Sequence, residues 1–380
     1  MKNIDIIGAG IGGLTTALFL EKKGFKVTIY EQAESFKHVG AGILLASNAM
    51  LIYKYLEIEK ELKSVGIPVN VLNITDKMLK PISKIDLGYF MRKYNLQNIA
   101  IHRGELQKIL LNNLKATNIK LGYKLESVEK TKNTCKFIFA NGEVITSNLI
   151  IGADGIHSTL REFIAPQLKI RDTNQICWRG VLKYNLPLKY RNELNEAWGK
   201  GNRFAFVECG NNSVYWYAVK TVKENSSKTS VGDLINDFKA YNPIVNDIIS
   251  KTKKSAIHTS KIQDLKPIKK WYTSNICLIG DAAHAVTPNM GQGACQAIED
   301  AYAITKYIDL EFVKTGFEKF QKIRIKKAHH VVKQSWYIGK ISHWENSLAI
   351  FIRNTFLRLL PERINIIQLE NLFELKSKMK

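Results

Sequence analysis

The 380-residue chain lacks several features that would assign it to a specialised class of protein. It contains no run of about 18 apolar residues, the length at which a transmembrane helix becomes a candidate. Its five cysteines are odd in number, scattered and free of any CxxC pair, which argues for a reducing cytoplasm and against a metal site. The first apolar stretch is broken by Asp5 and runs into a glycine motif, so we do not expect a signal peptide.

Acidic residues are also scarce, since 34 Asp and Glu stand against 56 Lys and Arg and give a net charge of +22. Such a charge suggests a nucleic acid or an anionic membrane as a partner. The cations, however, are mostly lysines spread along the chain without an arginine-rich arm. We therefore interpret them as a solvated surface that can attract an anionic small molecule, and we expect no nucleic acid.

The strongest pattern that is present lies near the N-terminus. An apolar strand, Ile4–Ile7, leads into Gly8, Gly10 and Gly13 in GxGxxG spacing, and a helical pattern follows at once. A second apolar strand, Val27–Tyr30, comes after the helix. This order predicts a βαβ unit that binds a dinucleotide.

Each residue of this motif has a physical role. Gly8 permits the tight turn, Gly10 allows the backbone to approach a pyrophosphate, and Gly13 allows close packing of helix on strand. The helix N-terminus offers free N–H groups to the phosphates. Glu31 follows the last glycine at close to the roughly 20-residue spacing of a carboxylate that binds a ribose hydroxyl. A glycine-rich turn in another βαβ unit is the weaker alternative.

Two further strand-to-helix junctions carry glycine and aspartate. Leu149–Ile151 ends in a GADG sequence containing Asp154, which alone would also fit an aspartate that caps a helix. Ile276–Ile279 ends in GDAAH, and the glycines of the later GQG sequence can present N–H groups to an anion. His284 ends the GDAAH sequence, and we expect it to pack locally rather than to act as a catalyst.

The rest of the chain predicts a second domain and a helical end. Residues 170–265 contain short alternating strands, typical of an antiparallel sheet, in which Tyr215 and Tyr217 would share one face. Residues 67–99 also read as strands, and residues 119–151 as a small β-meander.

Gly40 and Gly42 suggest backbone close to a ligand.

Two segments near the C-terminus are apolar or strongly basic. Residues 341–360 are apolar and partly basic, so they either lie on a membrane or pack on the protein or on a second subunit, and we favour packing. In the N-terminal part of the chain, Ser47 is a candidate N-cap for the helix predicted around residues 50–56. Arg324 and the lysines after it read as solvated charge.

The three motifs together resemble the FAD-dependent aromatic hydroxylases related to para-hydroxybenzoate hydroxylase. GxGxxG, GADGxxSxxR and GDAAHxxxPxxGQG occur in that order over most of the chain. The resemblance implies an α/β fold with a glutathione-reductase-like, Rossmann-type FAD-binding domain, an inserted antiparallel β-sheet substrate domain and C-terminal helices. We expect the FAD domain at 1–70, 100–165 and 270–330, the substrate domain at 71–99 and 166–269, and the helical segment at 331–380.

The resemblance also implies the residues of the site. Arg103 alone would suit a structural role, but by resemblance it lies near FAD. The implied FAD-binding residues are Gly8, Gly10, Ile11, Gly12, Gly13, Glu31, Gln32, Leu44, Arg103, Leu125, Asp154, Gly280, Asp281, Pro288, Gly291, Gln292, Gly293, Ala294 and Cys295. Substrate contacts are expected from Arg203, Tyr215 and Tyr217, although Arg203 at the surface and Tyr215 in the core would fit equally well.

The function implied by the resemblance is that of a monooxygenase. It would use FAD, NADH or NADPH and O2 to hydroxylate a small aromatic or heteroaromatic substrate through a flavin C4a-hydroperoxide. An FAD-dependent epoxidase or reductase of a lipid or polycyclic substrate is the alternative. No side chain is expected with certainty to be catalytic, and a monomer and a homodimer are both compatible with the sequence.

Overall fold

The computed structural model describes residues 3–36, 41–131, 134–222, 231–308 and 311–375. The strands are β1 Asn3–Ile7, β2 Lys26–Glu31, β3 Gly42–Leu45, β4 Ile67–Pro68, β5 Val71–Asp76, β6 Pro81–Asp86, β7 Ile99–His102, β8 Asn118–Leu121, β9 Leu125–Lys130, β10 Cys135–Phe139, β11 Val144–Ser147, β12 Ile150–Gly152, β13 Ile170–Lys183, β14 Glu193–Trp198, β15 Asn202–Glu208, β16 Ser213–Thr221, β17 His258–Leu265 and β18 Ile276–Leu278. The α-helices are α1 Ile11–Lys22, α2 Ser47–Tyr55, α3 Glu59–Val65, α4 Gly88–Tyr94, α5 Arg103–Asn113, α6 Thr159–Ile164, α7 Val231–Phe238, α8 Pro243–Lys251, α9 Asp281–His284, α10 Gly293–Tyr307, α11 Val313–Ser342, α12 Ser347–Leu359 and α13 Glu362–Phe373.

A five-stranded parallel sheet carries the three glycine motifs at the ends of its strands. Its order is β18-β12-β1-β2-β8, so β1 lies in the middle with β2 and β12 beside it. The carboxyl ends of β1, β12 and β18 therefore meet at one edge, which is where ligands bind in open α/β sheets. The order of strands in space, which differs from their order in the chain, brings the motifs together.

A seven-stranded, mostly antiparallel sheet forms the other large layer. Its order is β17-β13-β16-β15-β14-β5-β6, so residues 71–86 pair with residues from 170 onward. One face packs with α7 and α8 around buried side chains that include Trp178, Phe204, Trp216 and Phe238. Tyr215 and Tyr217 point to the opposite face, as the alternation predicts, because neighbouring strand residues face opposite ways.

Three local expectations are wrong. Residues 88–94 form α4 rather than a strand. Strand β8 does not belong to a meander but pairs in parallel with β2, and only β9, β10 and β11 form a three-stranded antiparallel sheet. Ser47 is the first residue of α2 and does not cap it, since both its backbone N–H and its hydroxyl donate to Asn98 Oδ1.

The C-terminal helices pack on both layers. The 30-residue α11 lies against α10, and α12 lies against β6 at the edge of the seven-stranded sheet. Within the described ranges, no helix combines the length and the apolarity needed to cross a bilayer.

Candidate active site

The turn from β1 to α1 uses two of its glycines for the fold itself. Gly8 has φ +105, and a Cβ on it would lie 2.3 Å from the carbonyl oxygen of Ala153. A Cβ on Gly13 would lie 2.0 Å from the carbonyl oxygen of Gly8. Any side chain at these two positions would push the strand, the helix and the neighbouring β12 turn apart.

Gly10 is not required by the fold in the way that Gly8 and Gly13 are. Its φ of −70° is available to any residue, and a Cβ built on it would meet no protein atom within 4 Å. The protein therefore has no conformational or packing need for glycine here. The space that a side chain would fill opens into a cleft, which fits a motif whose middle glycine lets a phosphate approach the backbone.

The cleft has a volume of about 760 Å³ and runs along the ends of β1, β2 and β12. Glu31 lies on its wall at the end of β2, where its carboxylate accepts hydrogen bonds from the backbone N–H of Ala9 at 2.7 Å and of Ala33 at 2.9 Å. Of the predicted FAD-binding residues, those on the cleft wall are Gly8, Gly10, Glu31, Gln32, Arg103, Leu125 and Asp154.

The GADG loop contributes a carboxylate with spare hydrogen-bonding capacity. Asp154 Oδ2 accepts from the N–H of Leu160 at 3.2 Å, whereas Oδ1 is buried without a partner among the described residues. Burial raises the pKa of this carboxyl above its ordinary value. A buried acceptor without a protein donor, on the wall of an open cleft, is available to a bound ligand.

The fixed offsets of Ser158 and Arg161 have a structural explanation. Ser158 caps α6 by accepting from the N–H of Arg161 at 2.9 Å. The Arg161 guanidinium donates to the carbonyl oxygen of Ala282 at 3.3 Å and also to that of Ile156. One buried arginine thus links the GADG loop to the GDAAH turn.

Asp281 stands at the start of α9, beside the cleft. It is open to solvent, yet the surrounding protein raises the pKa of its carboxyl, and the charges of His284, Arg103 and Arg161 oppose that rise. Arg103 lines the cleft and donates its backbone N–H to the carbonyl oxygen of Ala41 at 2.8 Å. Asp281 is thus close to Arg103, although neither Asp281 nor the late glycine turn is among the residues that line the cleft.

A buried ionic cluster supports the GDAAH turn from behind. Asp300 Oδ2 accepts from the N–H of Gly280 at 2.8 Å and lies 2.5 Å from His284 Nε2. Arg324 bonds Asp300 at 2.7 Å and also Glu299. Burial alone would raise the pKa of Asp300, but the His284 and Arg324 charges lower it to about 2.

This cluster corrects one expectation. Arg324 was expected to be solvated, yet it is fully buried, and Lys327 is almost fully buried with its ammonium 2.7 Å from Glu299. The helical spacing of Phe320, Arg324 and Ala328 places Arg324 on the inward side of α11, but it does not show which carboxylates lie opposite. His284 packs inside the protein against Trp271, as expected.

The late glycine turn faces β3. Gly291 has φ +61, and Gln292 behind it is buried and accepts from Asn48 Nδ2 at 3.2 Å. The thiol of Cys295 donates to the carbonyl oxygen of Leu44 at 3.5 Å. The first N–H groups of α10 have no partner within the helix, so they can serve an anionic group.

Strand β3 also meets the seven-stranded sheet. A Cβ on Gly42 would lie 2.5 Å from the ring of Tyr215, so the ring rests directly on the strand backbone. Gly40, named with Gly42 as a candidate for ligand contact, lies outside the described residues. Gly12 and Gly280 instead pack on Ala297, which makes them contacts between α10 and the two turns.

Arg203 is not a surface residue, because it is only 1% exposed. Its guanidinium donates to Glu196 Oε1 at 2.9 Å and to the side chain of Asn289 in the turn before Gly291. It therefore links the seven-stranded sheet to the late glycine turn. Glu196 balances the charge of Arg203, whose Nε has no hydrogen-bond partner among the described residues.

Tyr215 and Tyr217 stay protonated at neutral pH. Burial raises the pKa of both phenols well above the ordinary value, so their hydroxyl groups can donate hydrogen bonds. Sequence reasoning missed Glu196 and Asn289. Glu196 could have been found from the sequence. Around the hairpin turn at 199–202, Glu196 and Arg203 fall on the same face of neighbouring strands, which predicts an ion pair.

The cofactor that the motifs imply fits this arrangement. The open space at Gly10 suits a diphosphate, Glu31 stands where an adenosine ribose would follow, and Asp154 Oδ1 needs a donor. The late turn and Asp281 lie farther along the same edge, next to the sheet with the tyrosines. The open space at Gly10 and the carboxylates beside it are compatible with a dinucleotide.

Comparison with known proteins gives a consistent picture. The family model described as FAD binding domain matches residues 2–326. The aurachin C monooxygenase/isomerase of Stigmatella aurantiaca is 32% identical over 358 residues, which cover 93% of each chain. The 2-heptyl-3-hydroxy-4(1H)-quinolone synthase of Pseudomonas aeruginosa is 30% identical over 369 residues, 94% of each chain. The structure of Klebsiella pneumoniae HpxO complexed with FAD and uric acid superposes with a TM-score of 0.89 at 21% identity, covering 98% of this chain and 96% of that one.

Proposed function

Because the chain belongs to the family of FAD-dependent aromatic hydroxylases, and is an FAD-dependent monooxygenase, we propose that it hydroxylates a neutral 4-quinolone ring. The proposal rests on one observation above all: Arg203, on the same face of the sheet as Tyr215 and Tyr217, is paired with Glu196. A pocket for an anionic ring would keep such a cation free, because a charge-assisted bond to the oxyanion is its main source of affinity. A neutral ring needs hydrogen-bond donors and apolar walls instead.

The relatives at 30% identity or above support the same ring. One is named for a 2-heptyl-3-hydroxy-4(1H)-quinolone product, and a monooxygenase would form that product by adding the 3-hydroxyl group. A 4-quinolone is a vinylogous amide whose ring nitrogen pushes electron density onto C3. Such a carbon accepts an electrophilic oxygen without prior deprotonation. The proton on C3 is lost to water afterwards, when the vinylogous amide is restored, so no base is required before the attack.

When FAD is bound and has been reduced by a nicotinamide nucleotide, it supplies the activation of O2. The chain itself binds, orients and protects. The α1 N-terminus and the Gly10 backbone would hold the diphosphate, and Glu31 would hold the ribose. Tyr215 and Tyr217 are proposed to donate to the ring oxygen of the substrate, and the fixed Arg203–Asn289 link would keep the late turn in place over the ring.

The other finer expectations stay proposals of the same kind. These are the domain boundaries at 1–70, 71–99, 100–165, 166–269 and 270–330, the contact of residues 291–295 with the flavin ring, and a cytoplasmic location. The use of NADH or NADPH and of O2 belongs to the proposal as well.

The test is substrate-dependent oxidation of NADH or NADPH by the FAD-loaded protein, with 2-heptyl-4(1H)-quinolone as the probe and urate and salicylate as anionic controls. We expect the quinolone alone to accelerate oxidation and to gain one oxygen atom, detected by mass spectrometry. Stimulation by urate or salicylate and not by the quinolone would refute the substrate class. Quinolone consumption without oxygen gain would point to the alternative reductase.

A further inference from the structure

Helix α12 presents an apolar stripe outward and places its central cation inward. Its large apolar side chains with high exposure are Leu348 at 67%, Phe351 at 66%, Ile352 at 57%, Phe356 at 62% and Leu359 at 76%. With about 100° per residue, these five positions fall within one side of the helix. A helix on the surface of a globular protein normally has the opposite arrangement, with its apolar side facing the core.

The inward side explains how α12 is attached. Arg353 is only 4% exposed, and its guanidinium donates to the carbonyl oxygens of Ile341 at 2.9 Å and Ser342 at 3.3 Å. It also lies over the ring of Trp198, 5.0 Å from the centroid. These contacts fix the orientation of the helix, so the outward direction of the stripe is built into the fold.

The stripe has neighbours of the same character. Tyr337, Ile341 and Trp344 are exposed at the end of α11, at helical spacings of four and three residues, next to where α12 begins. The five side chains of the α12 stripe are exposed, so none of the described residues covers them. Scattered apolar residues on a surface are ordinary, but a contiguous set marks an interaction site.

We propose that the α12 surface, defined as Leu348, Phe351, Ile352, Phe356 and Leu359, docks the enzyme on an anionic lipid bilayer. The helix would lie in the plane of the interface with this side inserted. Exposed aromatic residues beside the stripe, Tyr337 and Trp344, have the amphipathic rings that concentrate at the level of lipid headgroups.

Charge decides between a bilayer and a second copy of the chain. The protein carries a net +22, and exposed cations flank the stripe at Lys340, Arg358 and Arg363. Two such copies brought face to face would repel each other, whereas an anionic leaflet attracts each juxtamembrane cation. A short apolar helix that binds weakly by itself gains from this attraction.

The test uses the full-length, FAD-loaded protein and flotation with vesicles of phosphatidylcholine alone or mixed equally with phosphatidylglycerol. No substrate is present, so the result does not depend on the proposed reaction. We expect the protein to float with the anionic vesicles, to remain largely behind with phosphatidylcholine, and to be released as salt screens the charges.

Two variants make the result specific to the helix. Replacing Leu348, Phe351 and Phe356 together by glutamine should lower the affinity for anionic vesicles by about tenfold or more, because three apolar side chains no longer enter the bilayer. The matched control is Leu188→Gln, a change at an 81% exposed side chain beside Tyr190, whose ring packs on Phe206 in the other core. The control should bind like the unmodified protein.

Several outcomes would overturn the proposal. A protein that stays unbound at every vesicle composition, or a triple variant that binds as well as the control, would do so. Equal binding to vesicles with and without anionic lipid would remove the role of charge. A dimer in analytical ultracentrifugation that the triple variant dissociates, without vesicle binding, would identify a second copy as the occupant.

Discussion

Replacing Gly10 by alanine tests whether the cleft is shaped by the fold or by its ligand. In the protein alone, the new methyl group meets no atom within 4 Å, and the φ of −70° suits alanine. A Gly→Ala change at such a position stabilises by about 0.4–1 kcal/mol through the unfolded chain. Gly10 is also the N-cap of α1, where alanine is worse than glycine by a similar amount. We therefore expect the apo-protein's free energy of unfolding to change by less than about 1 kcal/mol.

The effect on FAD should be far larger. If a phosphate lies against the Gly10 backbone, the methyl group takes its place, and overpacking by one carbon costs about 1–3 kcal/mol. At 1.4 kcal/mol for each factor of ten, the dissociation constant for FAD should rise by roughly 5- to 150-fold. Thermal unfolding of the apo-protein and a flavin fluorescence titration measure the two quantities separately.

Gly13→Ala is the matched comparison within the same motif. Its Cβ would lie 2.0 Å from the carbonyl oxygen of Gly8, so this change should lower the unfolding temperature of the apo-protein as well as FAD binding. The reasoning fails if Gly10→Ala binds FAD within about threefold of the unmodified protein, or if the two variants lose stability equally.

Three further predictions concern buried charges. Arg324→Met leaves two buried carboxylates without their shared cation and should reduce the free energy of unfolding by about 3–5 kcal/mol in denaturant titrations. The control Lys326→Met, on the exposed side of α11, should change that free energy by less than about 0.5 kcal/mol. Burial, aided by the Arg203 charge, lowers the pKa of His343 to about 3, so the stability from its neutral form is complete above about pH 6.5 and declines as the pH falls toward 3. The loss should reach about 2 kcal/mol by about pH 5 and be absent in His343→Gln; an unchanged slope would contradict it. Glu196→Gln frees the Arg203 charge, so the folded fraction should bind salicylate about tenfold more tightly in a competition assay and the quinolone no better; equal changes for both would count against the neutral pocket.

Local chemistry explains why the three motifs were recognisable from the sequence. Gly8, Gly13 and Gly280 are needed because backbone or side-chain atoms of other segments occupy the space of a side chain, and such needs leave a fixed residue type at a fixed position. The strand alternation around Tyr215 and Tyr217 is equally local, because neighbouring residues in a strand must face opposite ways.

The errors share a cause as well. Tertiary contacts, rather than the local sequence, decide the structure at residues 88–94, at β8 and at Ser47. Ser47 is bonded to Asn98, and β8 is paired with β2. Whether a lysine or an arginine is buried depends on a carboxylate that a distant segment supplies. For Arg324 that segment is α10, and the sequence of α11 indicates the inward position but not the carboxylates that meet it.

The sequence by itself determined that this protein has a dinucleotide turn and a second sheet, because glycines and alternating strands act over a few residues. The order of its three motifs carried the resemblance to FAD-dependent hydroxylases, and that resemblance implied a chemistry carried by a bound flavin. Only the tertiary structure decided that Arg203 is neutralised by Glu196, that Asp154 keeps a free acceptor in the cleft, and that α12 faces outward with its apolar side. Each of these depends on which distant side chain lies within a few ångströms, and that distance is set by the packing of whole sheets and helices.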